Sequence, residues 1–143
     1  MEDLSATNTA PETDTAVRKF LRDFGVPEYM EGYTYCRKAI TMLLENAILL
    51  EQIKSCIYRQ IAKENGVTVR RVRREIRRVI GVTWTKDNRV KIDKHFRKNL
   101  MGNYSKPTDI EFIVISADRI RRYMNLGQRI KKVREAYGVD SKS

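Results

Sequence analysis

The sequence predicts an all-α domain of six helices that contains a helix-turn-helix. Three observations support this prediction: apolar residues recur at helical spacing, six of the seven glycines fall between the periodic segments, and strand-like alternation is scarce. The best strand candidate, residues 112–115, follows Pro107 and a Thr108–Glu111 capping pattern. Because that pattern starts helices, we assign these residues to a helix.

Residues that start and stop helices place the six elements in order. Gly25 and Pro27 end the first helix, and an apolar stripe that includes Cys36 and Ile40 defines the second. The third ends at Gly66, the fourth follows it directly, and the last begins behind Thr108. The predicted ranges are 14–24, 32–46, 50–65, 69–80, 89–100 and 108–124.

Charge divides the chain into three parts. The 143 residues include 29 Lys+Arg and 18 Asp+Glu, which gives a net charge of +11. Residues 1–14 hold four acidic residues and no basic one, so residues 15–143 carry +15. We predict a disordered acidic tail at 1–14, a helical domain at 15–126 and a basic C-terminal extension at 127–143 that forms a frayed helix.

Composition excludes several function classes. The single histidine, His95, leaves a Ser-His-Asp triad or a histidine-based metal site without its parts. Cys36 and Cys56 fit no zinc motif and are predicted to be buried free thiols in a reducing compartment. No secretory signal or membrane span is evident. We therefore expect a cytoplasmic protein that is not an enzyme, with no metal, cofactor, membrane partner or small-molecule substrate.

The most informative stretch is residues 57–80, IYRQIAKENGVTVRRVRREIRRVI. Ala62 lets two helices cross closely, and Gly66 tolerates a positive φ in the turn between them. Thr68 can cap the second helix, because its hydroxyl accepts a hydrogen bond from an unpaired backbone N–H. Val72 and Ile76 then face back toward the first helix. This arrangement is typical of a helix-turn-helix.

Six arginines share one side of the second helix of this motif. At about 100° per residue, the apolar and arginine arcs do not mix, and only Glu75 adds a negative charge near the arginines. Arginine forks bind phosphate or the O6/N7 edge of guanine, so the pattern predicts recognition of double-stranded DNA in the major groove. The predicted base-reading residues are Arg70, Arg71, Arg73 and Arg74. The predicted phosphate contacts are Arg59, Gln60, Thr68, Arg77, Arg78, Ser105 and Lys106. Ordinary solvated surface residues are the alternative for Arg59, Gln60, Ser105 and Lys106. With DNA as the partner, we expect a nucleoid-associated protein.

The arginine-rich helix is also compatible with two roles that involve no DNA. It could be a soluble helix face without a ligand, or a helix that lies on an acidic membrane surface. The apolar arc lacks the bulky Phe, Trp and Leu side chains typical of membrane-surface helices.

Ordered short motifs extend from about Phe20 to Tyr123. They include Gly25-Val26-Pro27, Gly32-Tyr33, Ile61-Ala62-Lys63, Thr68, Arg71-Val72, Arg74, Ile76-Arg77, Trp84, Lys106-Pro107-Thr108, Glu111-Phe112-Ile113 and Ala117-Asp118. In this order and spacing they resemble the C-terminal DNA-binding effector domain of the stage-zero sporulation protein A family, the sporulation response regulators.

The resemblance implies a six-helix domain with the motif in its third and fourth helices, and transcription control at a site related to TGTCGAA. It also implies head-to-tail dimers on tandem sites, for which Phe112, Ile115 and Tyr123 are candidate contacts unless they belong to the intramolecular core. The family contacts the primary sigma factor of RNA polymerase through the region after the recognition helix, where residues 85–104 match poorly.

Two departures from the family shape the functional prediction. Arg73 stands at an acidic base-reading position and Arg70 replaces a small hydroxyl residue, so we expect a different operator or weaker discrimination. The family normally carries an N-terminal phosphoacceptor receiver domain, for which the short tail leaves no room. We predict a receiver-less, sequence-specific transcription regulator. The alternatives are a nonspecific architectural or nucleoid DNA-binding protein, and an interaction module that antagonises a full-length regulator.

Overall fold

Six α-helices form the fold in the computed structural model, which describes residues 11–96 and 106–137. No strand occurs within those two ranges, and the predicted all-α class is confirmed. A 3₁₀ segment (Ala47–Gln52) and a π-helical segment (Ile53–Tyr58) lead into the third helix. The helices are α1 (Pro11–Asp23), α2 (Glu31–Glu45), α3 (Arg59–Asn65), α4 (Val69–Thr83), α5 (Arg89–His95) and α6 (Asp109–Ala136).

Helix α2 lies at the centre and contacts α1, α4 and α6. Tyr33, Cys36, Ile40 and Leu43 of the predicted apolar stripe are buried, and burial is continuous from Ala39 to Leu43 because α2 is packed on several sides. Cys36 is fully buried. Cys56 is only half-buried, so the prediction of two buried thiols holds for one of them. An aromatic cluster of Phe20, Phe24, Trp84, Phe96 and Phe112 fills one end of the core.

A close helix crossing lies between the first turn of α2 and the middle of α4. A Cβ atom on Gly32 would overlap the carbonyl oxygen of Glu75 and lie 2.7 Å from a methyl group of Val79. Any larger residue at position 32 would push α4 outward, because shifting the packed backbone of either helix costs free energy. The fold therefore fixes the depth at which α4 sits against the core.

Several predicted boundaries differ from the structure. Helix α1 begins at Pro11, so the predicted acidic tail of residues 1–14 is too long; Asp14 lies in α1 and accepts two hydrogen bonds from Arg37. The predicted third helix at 50–65 is three short segments, since the chain changes helical pitch at Ile53 and again at Arg59. Residues 97–100 of the predicted fifth helix lie outside the described ranges.

The last helix is the largest difference. It starts as predicted, with a capping box in which the Thr108 hydroxyl accepts from Glu111 N at 3.1 Å and the Glu111 carboxylate accepts from Thr108 N at 2.9 Å. It then continues to Ala136 rather than ending near residue 124. None of the helices within the described residues is apolar over a length that would cross a membrane.

Candidate nucleic-acid interface

The turn between α3 and α4 has the geometry that its sequence predicted. Gly66 adopts a left-handed conformation with φ of 63°, which a residue without Cβ accepts without strain. The backbone N–H of Val67 donates to Ala62 O at 3.0 Å, and the side chain of Val67 packs against the core. The Thr68 hydroxyl accepts from Arg71 N at 3.0 Å, so the predicted N-cap of α4 is confirmed.

One face of α4 is buried and thereby orients all six arginines. Val72, Ile76 and Val79 have no exposed surface, and Ile80 is almost fully buried. Because these residues recur at helical spacing, the opposite face of the helix points away from the core. Five of the six arginines are exposed, and Arg73 alone among them is half-buried.

Arg71, at one edge of α4, is held by the first residue of α2. Its Nε donates to one carboxylate oxygen of Glu31 at 2.8 Å and its Nη2 donates to the other at 2.7 Å. The guanidinium lowers the pKa of Glu31, and the carboxylate raises the pKa of Arg71. This fork engages Nε and one Nη2 hydrogen, and leaves the Nη1 hydrogens directed away from Glu31.

Arg73, at the other edge, is held by a buried carboxylate at the start of α6. Its Nε donates to Asp109 Oδ2 at 3.0 Å and its Nη2 donates to Oδ1 at 3.3 Å. The Tyr58 hydroxyl donates to the same Oδ2 at 2.8 Å, and Arg77 Nε lies 3.5 Å from Oδ1. Sequence analysis assigned Arg73 to base readout, but its fork points at this carboxylate instead of the outer surface.

The charge state of this network follows from its partners. Burial alone would raise the pKa of Asp109, but Arg73, Tyr58 and Arg77 together hold it below its usual value. Burial also raises the pKa of Tyr58, which keeps its hydroxyl protonated as a donor. Asp109 is therefore an ionised carboxylate with 1% of its surface exposed, surrounded by donors.

Between the two edges lies a ridge of four exposed arginines, Arg70, Arg74, Arg77 and Arg78, which we call the arginine ridge. Glu75 lies beneath it with 11% of its side chain exposed, 3.4 Å from Arg74 Nε and 3.7 Å from Arg78 Nε. No salt bridge to Arg70 occurs within the described residues. In the part of the chain that the structure describes, the four ridge arginines are opposed by only two buried carboxylates, Glu75 and Asp109, and this excess of positive charge favours a polyanionic ligand.

The predicted phosphate-contacting residues outside α4 and its cap lie on α3 and in the segment before α6. Lys106 is exposed, its Nζ lies beside Gly81 at the end of α4, and it lines a surface groove of about 430 Å³ together with Arg77. Arg59 is exposed at the start of α3. Gln60 donates to Glu64 at 3.0 Å. Ser105 lies outside the described residues.

The three candidate dimer contacts differ in accessibility. Phe112 has no exposed surface, and its ring stacks on that of Phe96 with 5.4 Å between centroids. It belongs to the intramolecular core, the alternative that the sequence left open, and offers no surface to a second copy. Ile115 is half-buried, and Tyr123 is 45% exposed.

Sequence analysis missed the partners of the edge arginines. Glu31 and Asp109 are the first residues of α2 and α6, where acidic residues are common because they favour the positive end of the helix dipole. Nothing local distinguishes them from ordinary helix starts. The one available signal was an arginine, Arg73, close in helical angle to the apolar arc, since such a residue needs a buried partner.

One comparison with known protein families gives a match. The family model described as "Sporulation initiation factor Spo0A C terminal" matches residues 17–120, which run from within α1 to within α6 and include the whole of α3 and α4. That family comprises DNA-binding effector domains of a transcription regulator, and it is not a family of enzymes. The match covers more than half of the chain and confirms the resemblance seen in the sequence, so this protein belongs to the family of Spo0A C-terminal domains.

Proposed function

We propose that this protein is a sequence-specific transcription regulator that reads the major groove with the N-terminal half of α4. The observation that carries the proposal is the arginine ridge, which stands exposed on a helix that carboxylates hold at both edges. In helix-turn-helix proteins the second helix enters the major groove, and its first residues reach the base edges. Arg70 and Arg74 occupy those positions on the ridge.

Arg71 joins them as a base-reading residue oriented by Glu31. A flexible arginine loses side-chain entropy when DNA fixes it, whereas one already held in a fork loses less. Because Glu31 engages Nε and Nη2, the Nη1 side of the guanidinium remains available for a guanine O6 or N7. Glu31 is thus proposed as the positioning residue for Arg71.

Arg73 has a different role in this proposal, which is to fix the position of α4. Its bidentate pair with Asp109 ties α4 to the start of α6, and Tyr58 completes the carboxylate's hydrogen bonds. Rigid support of this kind keeps the reading residues within the narrow geometry that base contacts require.

The remaining predicted contacts position the domain on the sugar-phosphate backbone. Ridge residues Arg77 and Arg78 continue toward the end of α4, where Lys106 extends the basic surface. Arg59, Gln60, Thr68 and Ser105 complete the proposed set. The Thr68 hydroxyl accepts its cap bond and can still donate its own hydrogen to a phosphate. Such contacts set register and carry no sequence information.

Family resemblance supports two further parts of the proposal. On tandem sites we propose a head-to-tail dimer with Ile115 and Tyr123 at the contact, since both have exposed surface. We also propose contact with the sigma factor of RNA polymerase, as in the family. With these two contacts we propose a nucleoid-associated location in the cytoplasm.

Selection from random duplexes tests the proposal, with binding measured at two salt concentrations. We expect one operator to bind at least about 10³ times more tightly than scrambled DNA at about 150 mM salt. Single-base-pair variants of that operator then give the discrimination at each position. Equal binding to operator and scrambled DNA would contradict sequence-specific regulation.

A nonspecific architectural function is the second candidate, favoured by the density of exposed arginines on the ridge. It predicts a steep salt dependence, with a slope of about −0.9 per neutralised phosphate, and no preferred sequence. The same selection separates the two candidates. Absence of any DNA binding would instead support the interaction-module alternative.

A further inference from the structure

The second half of α6 carries a strip of apolar side chains with large exposed surfaces. Tyr123, Leu126, Ile130, Val133 and Tyr137, which we call the C-terminal strip, are all between 44% and 80% exposed. From Gly127 to Tyr137 every residue is exposed. The family match ends at residue 120, so neither the core nor the shared DNA-binding domain explains the strip.

The spacing of the strip is that of a helix–helix contact. Its members follow each other at intervals of three, four, three and four residues. At about 100° per residue they cover an arc of only about 80°, which is the narrow seam of a coiled coil. A helix that lies on a membrane has a broader apolar face. The strip therefore fits another helix better than a lipid surface.

The basic residues beside the strip favour a partner helix with acidic residues. Residues 121–137 contain six basic residues and one acidic residue, Glu135. Arg122 and Arg129 border one side of the strip and Arg134 borders the other, at the positions that set partner choice in coiled coils. A partner with acidic residues at the matching positions would form ion pairs along both sides.

Pairing of this strip with the same strip of a second copy is a poor match by the same criterion, and it differs from the proposed head-to-tail contact, in which Tyr123 is the only strip residue. In a parallel pair, Arg129 of one copy would face Arg134 of the other. In an antiparallel pair centred on the strip, Arg129 would face its own equivalent. Like charges at these positions oppose pairing, and natural interfaces use them to exclude wrong partners.

The strip also continues into a groove on the body of the domain. A groove of about 450 Å³ lies where Tyr123 meets α1 and α5, and the buried residues Phe20 and Ile120 line it. The exposed Lys19 and Lys94 line the same groove, next to Asp23. A docked helix could end here with its apolar side inside the groove and acidic side chains near the two lysines.

We infer that the C-terminal strip and its groove form a docking site for an acidic amphipathic helix of a partner protein. The apolar strip provides the buried contact, and Arg129 and Arg134 provide the selection for acidic partners; Arg122 already pairs with Asp118 of the same helix. This site lies outside α4 and does not depend on the proposed operator recognition.

Two synthetic peptides of three heptads test this inference with the full chain. Both carry Leu at the two seam positions; one carries Glu and the other carries Lys at the flanking positions. At about 150 mM salt we expect the Glu peptide to bind at least about tenfold more tightly than the Lys peptide. Fluorescence anisotropy of the labelled peptides gives both affinities. Equal affinities, or tighter binding of the Lys peptide, would overturn the inference.

Variants of the chain locate the binding surface. The double substitution Leu126→Ser/Ile130→Ser should weaken Glu-peptide binding at least about tenfold, since it removes the centre of the apolar contact. The matched control Gln128→Ser/Lys132→Ser, on the other side of the same turns, should change it less than about threefold. Arg129→Gln/Arg134→Gln keeps the apolar strip and should remove most of the preference for Glu over Lys. Circular dichroism checks that each variant stays helical.

Four other results would overturn the inference, the first three because they show a different occupant or role for the strip. The first is strip-dependent self-association of the wild-type chain at micromolar concentration in sedimentation. The second is weaker DNA binding by Leu126→Ser/Ile130→Ser than by its matched control. The third is strip-dependent binding to phosphatidylglycerol vesicles that exceeds Glu-peptide binding. The fourth is undiminished Glu-peptide binding by the strip variant. Because DNA affinity is measured separately, failure of this inference is distinguishable from failure of the proposed regulator function.

Discussion

At each edge of α4 a carboxylate accepts two hydrogen bonds from an arginine, but the two pairs lie in opposite environments. The Arg71–Glu31 pair is short and lies at the surface, with 48% and 33% of the two side chains exposed. The Arg73–Asp109 pair is slightly longer, and its carboxylate is almost completely buried. Exposed pairs contribute little to stability, while loss of a partner from a buried pair is costly. We propose that the exposed pair orients Arg71 for base reading and that the buried pair holds the helix in place.

Replacing Asp109 by Ala should have the largest effect on stability. It leaves the buried Tyr58 hydroxyl without its acceptor and removes the charge that Arg73 and Arg77 share. We expect a loss of about 3 kcal/mol in the free energy of unfolding, measured by urea denaturation. The matched control is Asp118→Ala on the exposed side of α6, where the pair with Arg122 should contribute less than about 0.5 kcal/mol. Similar losses in both variants would contradict a special role for the buried edge.

Arg73→Ala should have the next largest effect on stability. Arg77 and Tyr58 remain near Asp109 in this variant, so the expected loss is about 2 kcal/mol. Arg74→Ala, one residue further along α4 on the ridge, should unfold within about 0.5 kcal/mol of the wild type. Equal stability of Arg73→Ala and the wild type would show that Arg73 does not hold α4.

The buried Asp109 carboxylate should also make the free energy of unfolding decrease at acid pH. The pKa of Asp109 in the folded chain lies below its ordinary value of 3.8. Its contribution is therefore fully present above the unfolded pKa and is lost as the pH falls through the folded pKa. The gap in unfolding free energy between the wild type and Asp109→Asn should be constant between about pH 5 and 7, and should shrink below about pH 3.8. A gap that stays constant down to about pH 2 would mean that Asp109 is not titrating in this way.

Glu31→Gln should have the smallest effect on stability but a clear effect on recognition. The amide keeps the shape of the side chain and loses the charge that orients Arg71, so we expect operator affinity to fall about three- to tenfold. The unfolding midpoint should stay close to that of the wild type because the pair is exposed. Operator titration by anisotropy, with Glu28→Gln as an exposed control of equal charge change, measures the difference. A gain in operator affinity would show instead that Glu31 competes with DNA for Arg71.

Local chemistry explains which parts of this structure could be predicted from the sequence. The Gly66 turn, the Thr68 cap and the Thr108–Glu111 capping box depend on residues within a few positions of each other, and all three were predicted. The two edge pairs join residues 36 and 40 positions apart. Helical periodicity places an arginine on a face, but it does not say which distant carboxylate the fold brings beside it.

The C-terminal strip was not predicted, for a different reason. Its spacing is present in the sequence, but the basic residues around it led to the prediction of a frayed extension. Because α6 continues from a helix already anchored in the core, the extension needs no nucleation of its own. The prediction of a long, exposed last helix required knowledge of where that anchor lies.

We propose that Arg70, Arg71 and Arg74 read bases while Arg73 holds the helix that carries them. The most direct test measures binding of Arg74→Ala and Arg73→Ala to the selected operator and to its single-base-pair variants. We expect Arg74→Ala to lose about 1–3 kcal/mol of binding free energy and its discrimination at one base pair. Arg73→Ala, measured where it is folded, should keep the wild-type preference at every position. Loss of discrimination at a base pair in Arg73→Ala, with Arg74→Ala unchanged, would contradict the claim.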